Sequence, residues 1–221
     1  PMIHHVYENV QRCKIVEKVF VATCDRVIYE YINSINGEAI MTSIKHNRCT
    51  SRCTEALKKI EKKYKKKSNI IVMVQGDEPM ISPKMITESI LPLVKNKNKN
   101  VINLLGKIDS KEELNNPNCI KVVYNKALKA LYFSREPIPH DVRTNKMYFG
   151  KQVCVISFRR NYLLEYSKLK TTLYEKLESI DMLRFIENEI DVHLAKTNEQ
   201  TYAVDTKEDL KFVSKLMNKK K

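Results

Sequence analysis

Tryptophan is absent from this 221-residue chain, and glycine occurs only four times. With so few glycines and no internal repeat, solenoids and propellers are poor candidates. No GxGxxG segment and no Walker loop occur, so the usual glycine-rich phosphate cradle is missing. No apolar run approaches the roughly eighteen residues that a membrane-spanning helix needs. Residues 1–5, Pro-Met-Ile-His-His, have neither the basic flank nor the long apolar stretch of a signal peptide. The six cysteines form no CxxC pair. That scatter, in a chain of this length, predicts reduced thiols and a cytoplasmic protein rather than a disulfide framework or a zinc ribbon.

Apolar residues are plentiful, at 43%, beside 30% charged residues. This balance supports a sizeable core and excludes a mainly disordered chain. Lysine and arginine exceed aspartate and glutamate by 40 to 26, a formal net charge of +14. A basic surface attracts polyanions, whether nucleic acid, anionic lipid or a phosphorylated small molecule. The excess is concentrated in lysine runs at 62–67, 95–100 and 219–221. These runs lie between periodic segments or at the terminus, where solvated lysine costs little. No recognition motif accompanies them, so neither a specific nucleic-acid partner nor a membrane partner is expected.

Hydrophobic periodicity switches repeatedly between helix-like and strand-like. Residues 2–13 read as an amphipathic helix, 18–23 as a buried strand, and 26–35 as a helix ending at Asn36-Gly37. A strand at 38–42, a helix at 51–64 and a buried strand at 70–74 follow. Ser82-Pro83 then opens another helix, a capping residue before a proline at the first helical position. Such alternation predicts an α/β fold with a mostly parallel sheet. Beyond residue 100 the pattern changes. Strand-like segments at 101–105, 120–124, 127–133 and 152–158 have little helix between them, which predicts an inserted antiparallel or mixed region at about 125–170. One long helix at 173–189, a strand at 191–195 and a helix at 206–217 complete the chain, read as a single domain over 1–221.

Gln75-Gly76-Asp77-Glu78-Pro79 follows the strand at 70–74. Open α/β sheets bind ligands at the carboxyl ends of their strands. Asp77 there suits Mg²⁺ held together with substrate phosphates. An ordinary βα turn, with Gly and Asp chosen for turn geometry, fits the spacing equally well. Asp205 opens the last helix in Val204-Asp205-Thr206, where the plain reading is an N-cap. Spacing alone does not bring the two carboxylates together.

These stretches resemble one family. Val74-Gln75-Gly76-Asp77-Glu78-Pro79-Met80-Ile81 is similar to the VQGDEPxI segment of the 3-deoxy-manno-octulosonate (KDO) cytidylyltransferases, the CMP-KDO synthetases. Asn116-Pro117-Asn118-Cys119-Ile120-Lys121-Val122-Val123 resembles their NPNxVKVV, and residues 130–139 their ALYFSRxPIP. Val21-Ala22-Thr23 and Val204-Asp205-Thr206 match the VAT and VDTxEDL segments, in the family's order. The resemblance spans the chain. It implies a Rossmann-like fold with an inserted dimerisation region, and transfer of CMP from CTP to an eight-carbon 3-deoxy-2-ulosonic acid with release of pyrophosphate. It further implies Mg²⁺ on Asp77 and Asp205, and a homodimer serving surface-polysaccharide synthesis, lipopolysaccharide or capsule. Gln75, Ala22 and Thr23 would meet the nucleotide, and Arg135 the sugar acid.

Three departures qualify the carry-over. The family's R-x-x-G-K-P phosphate loop lies upstream of Pro1-Met2-Ile3, which looks like its tail. A fragment lacking that loop and the first parallel strand is expected to turn over weakly or not at all. The SGTxR cytidine segment appears as Arg48-Cys49-Thr50-Ser51-Arg52. Thr50 and Arg52 keep the family's types, and Arg48 and Arg52 are expected to clamp phosphates bidentately. The plain alternative is a basic first turn of the helix at 51–64, although cations there oppose the helix dipole and so favour an anionic ligand. In the sugar site Gln152 replaces a histidine, and the LEQLR segment reads Ile180-Asp181-Met182-Leu183-Arg184, with Asp181 expected to accept sugar hydroxyls. These changes point to a divergent member acting on KDO or a related eight- or nine-carbon sugar acid. The alternatives are a cytidylyltransferase for another ulosonic acid and an inactive nucleotide- or RNA-binding relic.

Overall fold

The computed structural model describes residues 1–142 and 149–219. Residues 143–148 of the expected insertion and most of the terminal lysine run therefore lie outside the described residues. The first half contains α1 (Met2–Gln11), β1 (Val21–Thr23), α2 (Arg26–Ser34), β2 (Ala39–Met41), α3 (Cys49–Tyr64), β3 (Ile70–Val74) and α4 (Pro83–Lys95). Then come β4 (Val101–Lys107), α5 (Lys111–Asn115), β5 (Lys121–Tyr124), β6 (Ala130–Ser134) and β7 (Gly150–Arg159). The chain ends with α6 (Arg160–Tyr166), α7 (Leu173–Glu178), α8 (Asp181–Glu187), β8 (Val192–Lys196) and α9 (Lys207–Lys219).

Local chemistry accounts for most boundaries. The Asp25 carboxylate accepts the Val27 and Ile28 N–H groups at the start of α2, and Ser82 accepts the Met85 N–H at the start of α4. After α2, Asn36 takes the left-handed conformation at φ 58°. Gly37 follows because a Cβ there would lie 2.8 Å from Ile32 Cγ2 and 2.9 Å from the Ile32 carbonyl oxygen.

The larger sheet has the order β6-β5-β7-β4-β8, with β3 also paired to β7. β3, β4 and β5 each run antiparallel to β7, while β8 runs parallel to β4. Strands β3, β4, β5 and β8 therefore point the same way, and β7 runs against them in their midst. The stretch expected as an insertion is woven into the sheet, since β7 is the strand to which β3, β4 and β5 all bond. β1 and β2 form a separate parallel pair. Among the described residues, β1 bonds only β2 and β3 bonds only β7.

Side-chain alternation divides the core between the two faces of the sheet. Ile102, Leu104, Val153 and Val155 pack against Ile81, Met85, Ile86, Ile90 and Leu93 in and before α4. On the other face Val101, Leu105, Ile156 and Phe158 meet Leu57 of α3, Leu163 and Tyr166 of α6, and Leu183 and Phe185 of α8. Phe158, Phe185 and Tyr166 stack in tilted pairs with centroids 5.4–6.1 Å apart.

The helix expected across 173–189 is broken. Ser179 takes the left-handed conformation at φ 59°, and α8 restarts at Asp181. Its cause is a buried ion pair: Arg184 Nε and Nη2 each donate to Glu175 at 2.6 Å. In a continuous helix, residues nine apart sit on opposite faces about 13.5 Å apart along the axis. Only a chain reversal brings them together. Asp181 is therefore the first residue of a helix, not a mid-helix carboxylate.

Candidate functional site

β3 and β5 share one edge of β7, end to end: Val74 pairs with Val155, and Lys121 with Lys151. Between these registers the two strands leave β7, and a pocket of about 190 Å³ opens there. It lies on the face carrying Ile156 and Phe158, so the alternate residues Gln152, Cys154 and Ile156 of β7 form its floor. Met73, Gln75 and Asp77 enter from β3 and the loop beyond it, at the carboxyl end where an α/β sheet binds its ligands. Asn118 and Ile120 enter from the approach to β5, Arg135 from the end of β6, and Ser179, Ile180 and Asp181 from the α7–α8 turn. Ala203 and Asp205 complete the lining from the β8–α9 loop.

Six residues singled out from the sequence, Gln75, Asp77, Arg135, Gln152, Asp181 and Asp205, thus meet in one place. The Val204 N–H donates to the Asp77 carbonyl oxygen at 2.9 Å, which joins the two acidic loops. Thr206 and Asp209 cap α9 reciprocally: Thr206 Oγ accepts the Asp209 N–H, and Asp209 Oδ2 accepts the Thr206 N–H. Thr206 therefore does the capping, which leaves the Asp205 side chain to the pocket. Burial, and then the neighbouring Asp205, push the Asp77 carboxyl above its ordinary range. Burial and Asp209 push Asp205 the same way, against the pull of Arg135. Asp77 Oδ1 is buried without a hydrogen-bond partner. An orphaned carboxylate oxygen beside a second raised carboxylate fits a hard divalent cation. Among the described residues no group of three or more His, Cys, Asp or Glu is arranged to hold a metal ion. Two carboxylates suit Mg²⁺, which takes one or two protein ligands and completes its shell with substrate phosphates and water.

Buried groups outside the lining hold this arrangement. Glu78 Oε1 accepts the Cys154 N–H, fixing the loop after β3 to β7. Lys121 Nζ donates to the Asn116 and Cys119 carbonyls, shaping the turn that presents Asn118. Lys151 donates to the Thr201 carbonyl at 3.1 Å and pairs with Glu113, tying down the loop that carries Asp205. Gln152 Nε2 donates to Asn103 Oδ1 at 2.6 Å.

The remaining expected residues lie outside the pocket lining. Arg48 is not a free phosphate clamp, since Nη1 donates to Ser179 Oγ and Nη2 to the Glu175 carbonyl. Arg52 donates to Thr42 Oγ and to the Ser43 and His46 carbonyls. Thr50 is fully buried, and its N–H and hydroxyl both donate to Asp181 Oδ2. The Asp181 carboxylate thereby occupies the N-terminus of α3, where an anionic ligand was anticipated. Ala22 and Thr23 lie on β1 outside the lining, and Thr23 Oγ accepts the Asp25 N–H. Met182 is fully buried in the core and lies outside the pocket lining. Asn118, Cys154, Ser179 and Ala203 line the pocket without having been assigned from sequence. Alternation with Gln152 was the available signal for Cys154; nothing marked Ser179.

Residues 1–206 match the family profile described as Cytidylyltransferase. The 3-deoxy-manno-octulosonate cytidylyltransferase of Thermodesulfovibrio yellowstonii is 37% identical to the chain, over 99% of the chain and 88% of the relative. The chain belongs to the 3-deoxy-manno-octulosonate cytidylyltransferase family. A solved CMP:2-keto-3-deoxy-manno-octonic acid synthetase complexed with CTP superposes with a TM-score of 0.89 at 33% identity, over 100% of this chain and 89% of that one. Family membership makes the protein a nucleotidyltransferase with a Rossmann-like fold. A 4-diphosphocytidyl-2C-methyl-D-erythritol synthase from Anaerococcus prevotii shares the fold alone, with a TM-score of 0.65 at 14% identity, over 98% of this chain and 89% of that one.

Proposed function

We propose that the protein transfers CMP from CTP to KDO, giving CMP-KDO and pyrophosphate for surface-polysaccharide synthesis. The observation that carries this reading is the meeting of Gln75, Asp77, Arg135, Gln152, Asp181 and Asp205 in one pocket at the carboxyl end of β3. Asp77 and Asp205 would hold Mg²⁺, which when bound neutralises charge on the triphosphate and polarises it for attack. Gln75 faces the nucleotide and orients it, while the Arg135 guanidinium takes the sugar carboxylate. Gln152 and Asp181 offer hydrogen-bond partners to sugar hydroxyls. No covalent nucleophile is needed, since in-line attack by the sugar's anomeric hydroxyl depends on positioning and electrostatics.

A homodimer is part of this reading. Leu173, Tyr174 and Leu177 of α7 and Leu131 of the edge strand β6 are exposed, and Tyr174 packs edge-on against Tyr132. Among the described residues no helix is long and apolar enough to cross a membrane. A CTP-consuming enzyme of this kind works in the cytoplasm, where the nucleotide is made.

Pyrophosphate release by the complete gene product, with Mg²⁺, CTP and a panel of 3-deoxy-2-ulosonic acids, tests the proposal. KDO is expected to be the preferred acceptor. Preference for another ulosonic acid would reassign the substrate, and silence with every sugar would refute the enzymatic reading.

A further inference from the structure

We propose that Glu178 is a positioning residue for Arg135, an inference that rests on the sugar-acid role given to Arg135 above. Arg135 follows the last residue of β6, where sheet bonding no longer holds the chain. Glu178, at the end of α7, takes over. Its Oε2 accepts the Arg135 backbone N–H at 2.8 Å, and its Oε1 accepts the Ser134 hydroxyl at 2.7 Å. The Glu178 carbonyl oxygen accepts Arg135 Nε at 2.7 Å, and the Pro117 carbonyl accepts Nη1 at 2.9 Å.

Two features separate this arrangement from an ordinary ion pair. First, the carboxylate grips the backbone and a neighbouring hydroxyl, while among the described residues the guanidinium donates to neutral carbonyls only. The positive charge is thus left for a ligand. Second, the two anchored nitrogens hold the planar fork in one orientation, and Nη2 makes no hydrogen bond to a described residue. A flexible arginine must surrender rotamer freedom to bind a carboxylate; one already anchored loses less. Glu178 also begins the turn whose next residues line the pocket. Ser179 is held by Arg48, and Asp181 by Thr50. A single reversal of the chain therefore sets the Arg135 side and the α3 side of the pocket together.

The test is steady-state kinetics of the complete gene product, with CTP and KDO varied separately. Replacing a charged acceptor by a neutral one, Glu178→Gln, is expected to raise the sugar KM roughly 10- to 100-fold. The CTP KM should stay within about twofold, because uniform damage to the fold would move both constants. Ser134→Ala, a milder change, is expected to raise the sugar KM by about tenfold, the low end for one hydrogen bond to a charged group. The double variant Glu178→Gln/Arg135→Ala should be no worse than Arg135→Ala alone, because Glu178 acts through Arg135. Multiplicative effects of the two substitutions would overturn the proposal. Amide hydrogen exchange supplies a readout independent of turnover: the Arg135 N–H should exchange at least tenfold faster in Glu178→Gln, and an unchanged rate would also overturn it. Should the unmodified protein transfer no CMP to any sugar acid, the functional reading falls and exchange alone decides the role of Glu178.

Discussion

Replacing Glu175 by glutamine removes one charge and almost no volume, so the change isolates electrostatics from cavity formation. Glu175 is fully buried and accepts Arg184 Nε and Nη2 at 2.6 Å and the Tyr166 hydroxyl at 3.0 Å. Arg48 Nε approaches it at 3.3 Å. Neutralising it leaves the buried Arg184 guanidinium without its counter-charge. Losing one partner of a buried ion pair costs about 3–5 kcal/mol. At about 2–4 °C per kcal/mol for a chain of this size, the melting temperature should fall by roughly 6–20 °C. Burial pushes the Glu175 carboxyl up, but the hydrogen bonds and charge of Arg184, helped by Tyr166, bring it below its ordinary value of 4.5. A lowered folded-state value means that the carboxylate stabilises the protein above the unfolded value and loses that effect as pH falls through the folded one. The gap between wild type and Glu175→Gln should therefore be widest near neutral pH and shrink as pH falls below the ordinary carboxylate value and through the lower folded one. Calorimetry across that range checks both statements. A shift under about 2 °C, or a gap that widens on acidification, would refute the account of the α7–α8 reversal.

Asp77→Asn and Asp205→Asn should each lower CMP transfer on the order of 100-fold or more, the usual scale for losing one preorganised charge contact. Both should leave the metal-free melting temperature unchanged or higher, because each carboxyl is raised by burial. Mg²⁺ affinity, followed by calorimetric titration, should rise with pH through the interval above the ordinary carboxylate range and then level off. The cation competes there with protons on Asp77 and Asp205, and a pH-independent affinity would count against those ligands. Thr50→Val keeps shape but removes the hydroxyl bond to Asp181, and should cost about 1.5–3 kcal/mol in urea unfolding. A loss under about 0.5 kcal/mol would mean that Asp181 does not tie α8 to α3.

Local signals carried much of the fold. The β-branched run Ile70–Val74 is β3 as its residues predict, and Ser82-Pro83 opens α4 with the expected cap. Ser110, which caps α5 by accepting the Glu113 N–H, shows the same signature three residues ahead of a glutamate, yet no helix was expected there. The break at Ser179 had no local signal, because its cause is the contact between Glu175 and Arg184, and periodicity is blind to ion pairs made by chain reversal. Arg48 and Arg52 show the opposite failure. Cations at a helix start point to an anionic ligand, but the acceptors they meet come from the protein: the Glu175 and Asp181 carboxylates for Arg48, and neutral backbone carbonyls with the Thr42 hydroxyl for Arg52. In the pocket, family resemblance located Asp77 and Asp205. It could not show that the Val204 N–H joins their loops, a contact spanning more than 120 residues.

The central claim is that Asp77 and Asp205 serve CMP transfer together in the pocket beside β7. Formation of the CMP-sugar from labelled CTP and KDO, followed by phosphorus NMR across a Mg²⁺ titration, tests it most directly in wild type and in the Asp77→Asn/Asp205→Asn double variant. The account predicts Mg²⁺-dependent product from wild type and a double variant little worse than either single one, because the two carboxylates act as a unit. Product formed equally well by the double variant, or by wild type with all divalent cations chelated, would contradict it.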